Sequence, residues 1–257
     1  MAETAIRLGD VSIPDLIKKL DTDGVVCLEN AISSTWLEAA RATLPKYMAR
    51  YGAQDFLVAD VGDEADTPSH ELVNAPVLRE LFAEVAQAGW PLARHASSIR
   101  NGLTVRSGPV RKAPGMLFHY DASVVTMVVP IFIPDGERGD SGELVAIPNK
   151  RPFRRFLVSH TVDKLLTHNS WYRRRVARKA LREPGEHIVD LKPGNAYLFW
   201  GYRTLHGNLP CAPGLLRSTL ILQYGEVHRP SPALALARAI GRRKVRKMQV
   251  LAARPSQ

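Results

Sequence analysis

The chain has 257 residues, 45% of them apolar and 23% charged, with a formal charge of +10. That composition excludes a disordered chain and supports a substantial buried core. Two cysteines, Cys27 and Cys211, exclude a disulfide scaffold and a cysteine-rich zinc module, and no apolar run reaches the roughly 18–20 residues that span a bilayer.

Met1–Asp10 carries acids and no apolar signal core, so a cytoplasmic chain is expected. Ile13–Leu20 reads as a short amphipathic helix, and Asp23-Gly24 leads into an apolar strand, Val25–Leu28. Thr35-Trp36-Leu37-Glu38 has capping-box spacing before a helix to about Tyr51, which Pro45 should kink or end early. Asn74 with Pro76 starts another helix, through Leu78, Leu81, Phe82 and Val85. From about Ser97 the texture changes to β-branched and aromatic runs separated by Pro/Gly/Asn/Asp turns. These predict strands at 102–107, Met116–His119, Ser123–Ile133, Gly142–Ile147, His187–Leu191, Ala196–Trp200 and Ser218–Tyr224. A helical insertion at about Val162–Leu181 interrupts them, and a last helix is predicted from Pro232 onward. Helices first and short strands later imply an α+β fold with an all-β sandwich or barrel as its core.

The positive charge is concentrated. Lys150–Arg182 holds eleven Lys/Arg against Asp163 alone, Arg229–Arg254 holds eight with no acid, and the rest of the chain carries −8. Such clusters attract phosphates, anionic headgroups or other acidic ligands, or form solvated helix faces. They lack interleaved aromatic residues for base stacking, which disfavours nucleic acid as a partner. The Ala/Leu/Arg tail suits peripheral contact with an anionic membrane.

The sharpest feature is His119-Tyr120-Asp121 on an apolar strand, with His206 following 85 residues after Asp121. Residues two apart on a strand share a face, so His119 and Asp121 can bind one ion together, and a histidine from a second strand completes the set. Two imidazoles and one carboxylate leave open positions on an octahedral metal, the arrangement used by non-haem Fe(II) oxygenases. Eleven residues beyond His206, Arg217 opens the apolar run Ser218-Thr219-Leu220-Ile221-Leu222. An internal arginine needs a buried anion, and its fork suits a carboxylate. The far carboxylate of 2-oxoglutarate fits that need, with Thr219 on the same strand face able to donate a hydroxyl.

With these residues the sequence resembles the Fe(II)/2-oxoglutarate-dependent dioxygenases, in particular the phytanoyl-CoA dioxygenase-like branch, from Ile13 to about Glu226. Asp23-Gly24-Val25-Val26 looks like that branch's early strand, and Gly142-Glu143-Leu144-Val145-Ala146-Ile147-Pro148-Asn149 is similar to its Gly-x-Leu-x-x-Ile-Pro-Gly-Ser-His segment. The resemblance implies a double-stranded β-helix (jelly-roll, cupin-like) core with flanking helices. It implies Fe(II) on His119, Asp121 and His206, 2-oxoglutarate salt-bridged by Arg217, and O2 as oxidant. The activity expected is hydroxylation of an unactivated C–H bond in a small or lipid-linked, anionic metabolite, with release of succinate and CO2. Retention of Asp121, which related halogenases replace by a small residue, favours hydroxylation over halogenation. One domain is expected over residues 1–228, made of a helical region (1–95) and a core from about 96 with an insertion at 160–183. A basic tail, 229–257, follows it.

Lys150-Arg151 stands where the branch has Ser-His at the substrate mouth. These two residues, Trp200 and Arg174 are candidate substrate contacts, while Trp200 and Tyr202 serve equally well as core. Phe118 and Tyr120 should point away from the metal, and Asn195 replaces the commoner Asp in a structural turn. Cys211 is expected as a small buried or loop thiol, and the remaining histidines, His187 among them, as structural. The rival readings are a catalytically inactive jelly-roll module that binds membrane or nucleic acid through the basic segments, and a zinc hydrolase, in which Arg217 has no role.

Overall fold

A computed structural model describes residues 4–9, 11–52, 54–93, 98–107, 118–153, 187–209 and 211–227 of the chain. The predicted insertion, the basic tail, Arg174 and the start of the strand expected at Met116–His119 lie outside these residues. Helix α1 (Ile13–Thr22) has Ser12 as its N-cap and turns Leu16 and Leu20 inward. Helix α2 (Ser34–Tyr51) begins differently from the expected Thr35 capping box. Ser33 is the cap, accepting a hydrogen bond from the Trp36 N–H at 3.1 Å. Pro45 does not end the helix, which runs on to Tyr51. Buried Leu44, Tyr47 and Tyr51 on either side supply the tertiary packing that overrides the hydrogen bond proline removes. Asn74 closes an additional helix, α3 (Pro68–Asn74), and Ala75 rather than Asn74 precedes α4 (Pro76–Gly89).

The strands are β1 (Val25–Leu28), β2 (Phe56–Ala59), β3 (Arg100–Arg106), β4 (Ser123–Phe132), β5 (Leu144–Ile147), β6 (Ile188–Val189), β7 (Ala196–Trp200), β8 (Leu205–Asn208) and β9 (Arg217–Glu226). β2 and β8 have no counterpart among the expected strand runs, and β5 and β6 are shorter than the runs at 142–147 and 187–191 suggest. Six strands form one sheet in the order β1-β7-β4-β9-β3-β2, three form a second in the order β6-β5-β8, and every pairing is antiparallel.

β4 is buried along both faces, Phe132 alone excepted, because the large sheet is a wall between two compartments. On its outer face Met127 and Val129 join Leu198, Leu220 and Leu222 in one core with Leu81, Phe82 and Val85 of α4. On its inner face Val128, Tyr197 and Phe199 pack against Leu144 and Leu191 from the small-sheet side. Each such buried side chain contributes about 1.5–3 kcal/mol. This is the expected α+β arrangement, a two-sheet jelly roll with helices outside. Among the described residues, no helix is long and apolar enough to cross a membrane.

Gly24, between α1 and β1, adopts φ +80°, and a Cβ there would lie 1.8 Å from the Pro148 Cβ. Pro148 opens the loop after β5, and next to it the Asn149 amide donates to the α1 carbonyls of Leu20 and Asp21 at 3.2 and 2.9 Å. Gly24→Ala is therefore expected to lower stability by about 1–3 kcal/mol through overpacking, read as a lower urea midpoint. An unchanged midpoint would show that this loop does not bear on α1.

Candidate metal centre

His119 and His206 face each other through reciprocal backbone hydrogen bonds, N–H to O, of 2.9 and 3.0 Å. This isolated antiparallel bridge adds the His119 segment to the edge of the small sheet beside β8. Directly opposed residues in such a pair project to the same side. Their imidazole centroids accordingly stand 4.4 Å apart. Contrary to the expected strand, the chain is in no strand at Tyr120 and Asp121, and Asp121 is held at this site with its N–H donating to the Gly201 carbonyl at 2.9 Å. Asp121 Oδ1 lies 3.4 Å from His119 Nε2, and Oδ2 lies 3.5 Å from His206 Nε2. One donor atom from each of the three residues falls within 4.8 Å of the others. Phe118, which precedes His119, is buried away from the ligands with Val145, Ile147, Leu205 and Leu209.

The protonation pattern calls for a cation. His206 Nδ1 stands 3.1 Å from the Thr204 carbonyl, which can only accept, so Nδ1 carries the proton and Nε2 keeps its lone pair. Burial lowers the pKa of His206 to about 4, against the opposing pull of Asp121. Burial raises the pKa of Asp121, but the adjoining histidines and the Thr126 hydroxyl more than offset this and hold it well below the usual carboxylate range. At neutral pH a carboxylate oxygen and an imidazole lone pair thus confront each other 3.5 Å apart, two acceptors with nothing to share. A divalent ion among His119, Asp121 and His206 resolves that conflict, and the donor set fits one.

Thr126 on β4 donates its hydroxyl to Asp121 Oδ2 at 2.5 Å, and the Phe199 ring lies tilted against that of His206, centroids 4.8 Å apart. Neither is among the residues expected at the site, though a lone hydroxyl in Val-Val-Thr-Met-Val-Val is a usable signal. Thr126→Val keeps the shape and removes the donor. It is expected to weaken divalent-metal affinity about 10- to 100-fold, as loss of a hydrogen bond to a ligating carboxylate does, measured by anaerobic titration; wild-type affinity would show the bond to be dispensable.

β9 runs along the same inner face. Its register sets Gln223 opposite Thr126 and Thr219 opposite Pro130, so Arg217 and Thr219 share the side of the sheet that carries Thr126. Arg217 is 2% exposed, and among the described residues no hydrogen bond or ion pair satisfies its guanidinium. Burial, then the neighbouring Arg106, lowers its pKa to about 10, so it remains cationic at neutral pH. Arg106 is its cross-strand partner on β3 and is itself paired with Asp55 at 2.9 Å. A Cβ on Gly142 would sit 2.9 Å from the Arg217 Cδ, so glycine leaves room for the arginine stem. A cavity of about 430 Å³ adjoins, lined by Arg217, Ser141, Glu143, Ile133 and Leu191 among others. Thr219 Oγ1 is 2.7 Å from Thr104 Oγ1.

Two of the four substrate candidates, Trp200 and Arg151, are buried. Trp200 is fully buried, its indole N–H donating to Asp21 Oδ1 at 3.0 Å, and packs as core. Arg151 is 4% exposed, not at an open mouth, because aromatic rings and a backbone carbonyl take up its guanidinium. Lys150 is exposed. Asn195 is structural, accepting from the Asn30 N–H at 2.9 Å, and Cys211 is a buried free thiol.

No protein-family model matches the sequence, and no curated protein does. Solved structures do. The non-heme alpha-ketoglutarate-dependent carbocyclase SnoK from nogalamycin biosynthesis aligns with a TM-score of 0.58 and 15% identity over 84% of this chain and 85% of its own. The chain has that fold. The epimerase SnoN, in complex with Fe3+, alpha ketoglutarate and nogalamycin RO, gives 0.54 and 15% over 83% of each chain. A Pseudomonas putida prolyl-4-hydroxylase gives 0.51 and 15% over 86% of this chain and 98% of its own.

Proposed function

We propose that this chain is an Fe(II)- and 2-oxoglutarate-dependent oxygenase that hydroxylates an unactivated C–H bond of a small-molecule or lipid-linked, anionic metabolite. The observation that carries this reading is a barrel interior that holds a two-histidine, one-carboxylate set and, on β9 of the large sheet, a buried guanidinium with no salt bridge among the described residues. The structural neighbours, which include a hydroxylase, a carbocyclase and an epimerase, support it. His119, Asp121 and His206 would hold the iron on one side and leave its other positions open. Bound iron supplies O2 activation coupled to decarboxylation of 2-oxoglutarate to succinate and CO2.

The chain's own residues supply binding, charge and dryness. Arg217 offers its fork to the far carboxylate of the co-substrate, which offsets the cost of a buried cation that has no salt bridge. Asp121 stays ionised and His206 stays neutral, so both present lone pairs without first losing a proton. Val128, Leu144, Leu191 and Phe199 line the interior with carbon and exclude water.

Support for the phytanoyl-CoA dioxygenase-like branch comes from Asp23-Gly24-Val25-Val26, the Gly142–Asn149 segment and the spacing of Arg217 from His206. The eleven basic residues of Lys150–Arg182, which fall in sequence between the second and third ligands, favour an anionic substrate. We assign catalysis to one domain over residues 1–228 in the cytoplasm, with the 229–257 tail as a peripheral membrane contact. The test is succinate release with Fe(II), 2-oxoglutarate and O2, compared between the wild type and the Arg217→Ala protein. Metal-dependent release from the wild type alone supports the reading. Liposome sedimentation with no release from either protein favours the inactive binding module.

A further inference from the structure

Arg151 joins the two segments that carry the metal ligands. Its guanidinium carbon lies 4.0 Å from the ring centroid of Tyr120 and 3.8 Å from that of Tyr202. Its Nε donates to the Tyr202 carbonyl at 2.6 Å. Tyr120 is the residue between His119 and Asp121. Tyr202 follows Gly201, whose carbonyl receives the Asp121 N–H, and stands four residues before His206. That turn is pressed close, for a Cβ on Gly201 would lie 3.1 Å from Asp121 Oδ2 and 2.3 Å from Thr126 Oγ1.

The segment that delivers Arg151 is itself fixed at both ends. On one side Pro148 abuts Gly24, and Asn149 is bonded to the end of α1. On the other, Phe153 stacks on Trp90 at 5.2 Å and on Tyr202 at 5.8 Å. A planar cation over two aromatic faces is worth about 2 kcal/mol or more where water is excluded, and lysine, a compact point charge, cannot reproduce the stacking together with the Nε bond.

We infer that Arg151 is a positioning residue that locks the His119-Tyr120-Asp121 segment and the turn before His206 in the relative placement that makes them one metal site. The inference rests on the metal-site reading above and assigns to Arg151 a task different from contact with substrate. It acts through Tyr120 and Tyr202 and touches no ligand atom.

The probe is Co(II), titrated anaerobically into the full chain and followed by its visible absorption, well below each protein's melting temperature. Arg151→Met and Arg151→Lys are expected to bind Co(II) about 10- to 100-fold more weakly than the wild type. Tyr120→Leu, which removes one ring and leaves the Tyr202 bond, should show a loss in the same direction and serves if the arginine variants fail to fold. Tyr120→Phe, which keeps the ring, should bind as the wild type does. Leu72→Ala, a core truncation in α3 at a fully buried residue, should melt lower and keep its affinity. Wild-type affinity in folded Arg151→Met or Tyr120→Leu overturns the inference, as does an equal loss in Leu72→Ala. His119→Ala separates the two levels. If it fails to bind while Arg151→Met binds normally, only the positioning role falls; if it binds as the wild type does, the site assignment falls with it.

Discussion

Replacing His119 by alanine is expected to leave the fold intact and to remove iron binding and 2-oxoglutarate turnover together. The side chain is 52% exposed, so little core packing is lost, and the bridge to His206 is made by backbone atoms that the substitution does not touch. What disappears is one of three ligands. Turnover should fall at least about 10³-fold, about 4 kcal/mol of transition-state stabilisation, measured as succinate formed per enzyme. The same loss should appear without catalysis. A chelator should lower the melting temperature of iron-loaded wild type, because a ligand bound only to the folded state stabilises it by mass action. It should not move that of His119→Ala. An alanine protein that retains iron-dependent turnover, or still responds to the chelator, would place the metal elsewhere.

The second result concerns Arg217, and its two readouts move in opposite directions. Methionine in place of this buried guanidinium, which makes no salt bridge among the described residues, keeps most of the volume and removes the charge. The ligand-free protein should gain about 1–4 kcal/mol of stability, as replacement of buried charge by apolar groups of similar size does, seen as a higher urea midpoint. Binding of 2-oxoglutarate should weaken by about 2–5 kcal/mol, the cost of truncating one partner of a desolvated charge pair, or about 30- to several-thousand-fold in Kd. Anaerobic absorbance of the iron complex reports that change. Unchanged binding would remove Arg217 from the co-substrate site. A lower urea midpoint would mean that the cation is compensated in the ligand-free fold.

Much of this site is legible in one dimension, and the reason is local geometry. His119-x-Asp121 has the two-residue spacing that a strand would turn into a shared face; in the fold the pair is brought together by the His206 bridge and the Gly201 carbonyl. Arg217 is legible because a lone cation heading an apolar run has to find an anion. The helical N-terminal region, the strands around β4, β7 and β9 and a sandwich or barrel core follow from apolar periodicity and turn residues, while the jelly-roll class follows from the resemblance to the dioxygenases. What escapes is what needs a third dimension. The short strand β2 exists because it pairs with β3, and Ser33 outranks Thr35 because α2 must start where Trp36 can be buried. Arg151 reads as a substrate contact at the head of a basic segment. Its burial depends on Tyr120 and Tyr202, 31 residues before it and 51 after it, and no spacing rule links the three.

The backbone bridge between His119 and His206 also makes the site's chemistry a matter of counting residues. Strand pairing has a period of two, so a shift of one residue would turn one imidazole out of the barrel while leaving most of the sheet hydrogen-bonded. Such a protein would fold, melt cooperatively and hold no metal. Single-residue insertions or deletions at Tyr120–Ala122 or Gly201–Thr204 should therefore abolish metal binding, with a loss of stability as well at Gly201–Thr204, where Tyr202 and Thr204 are fully buried. In this molecule alignment gaps beside the ligands would carry more functional information than most substitutions.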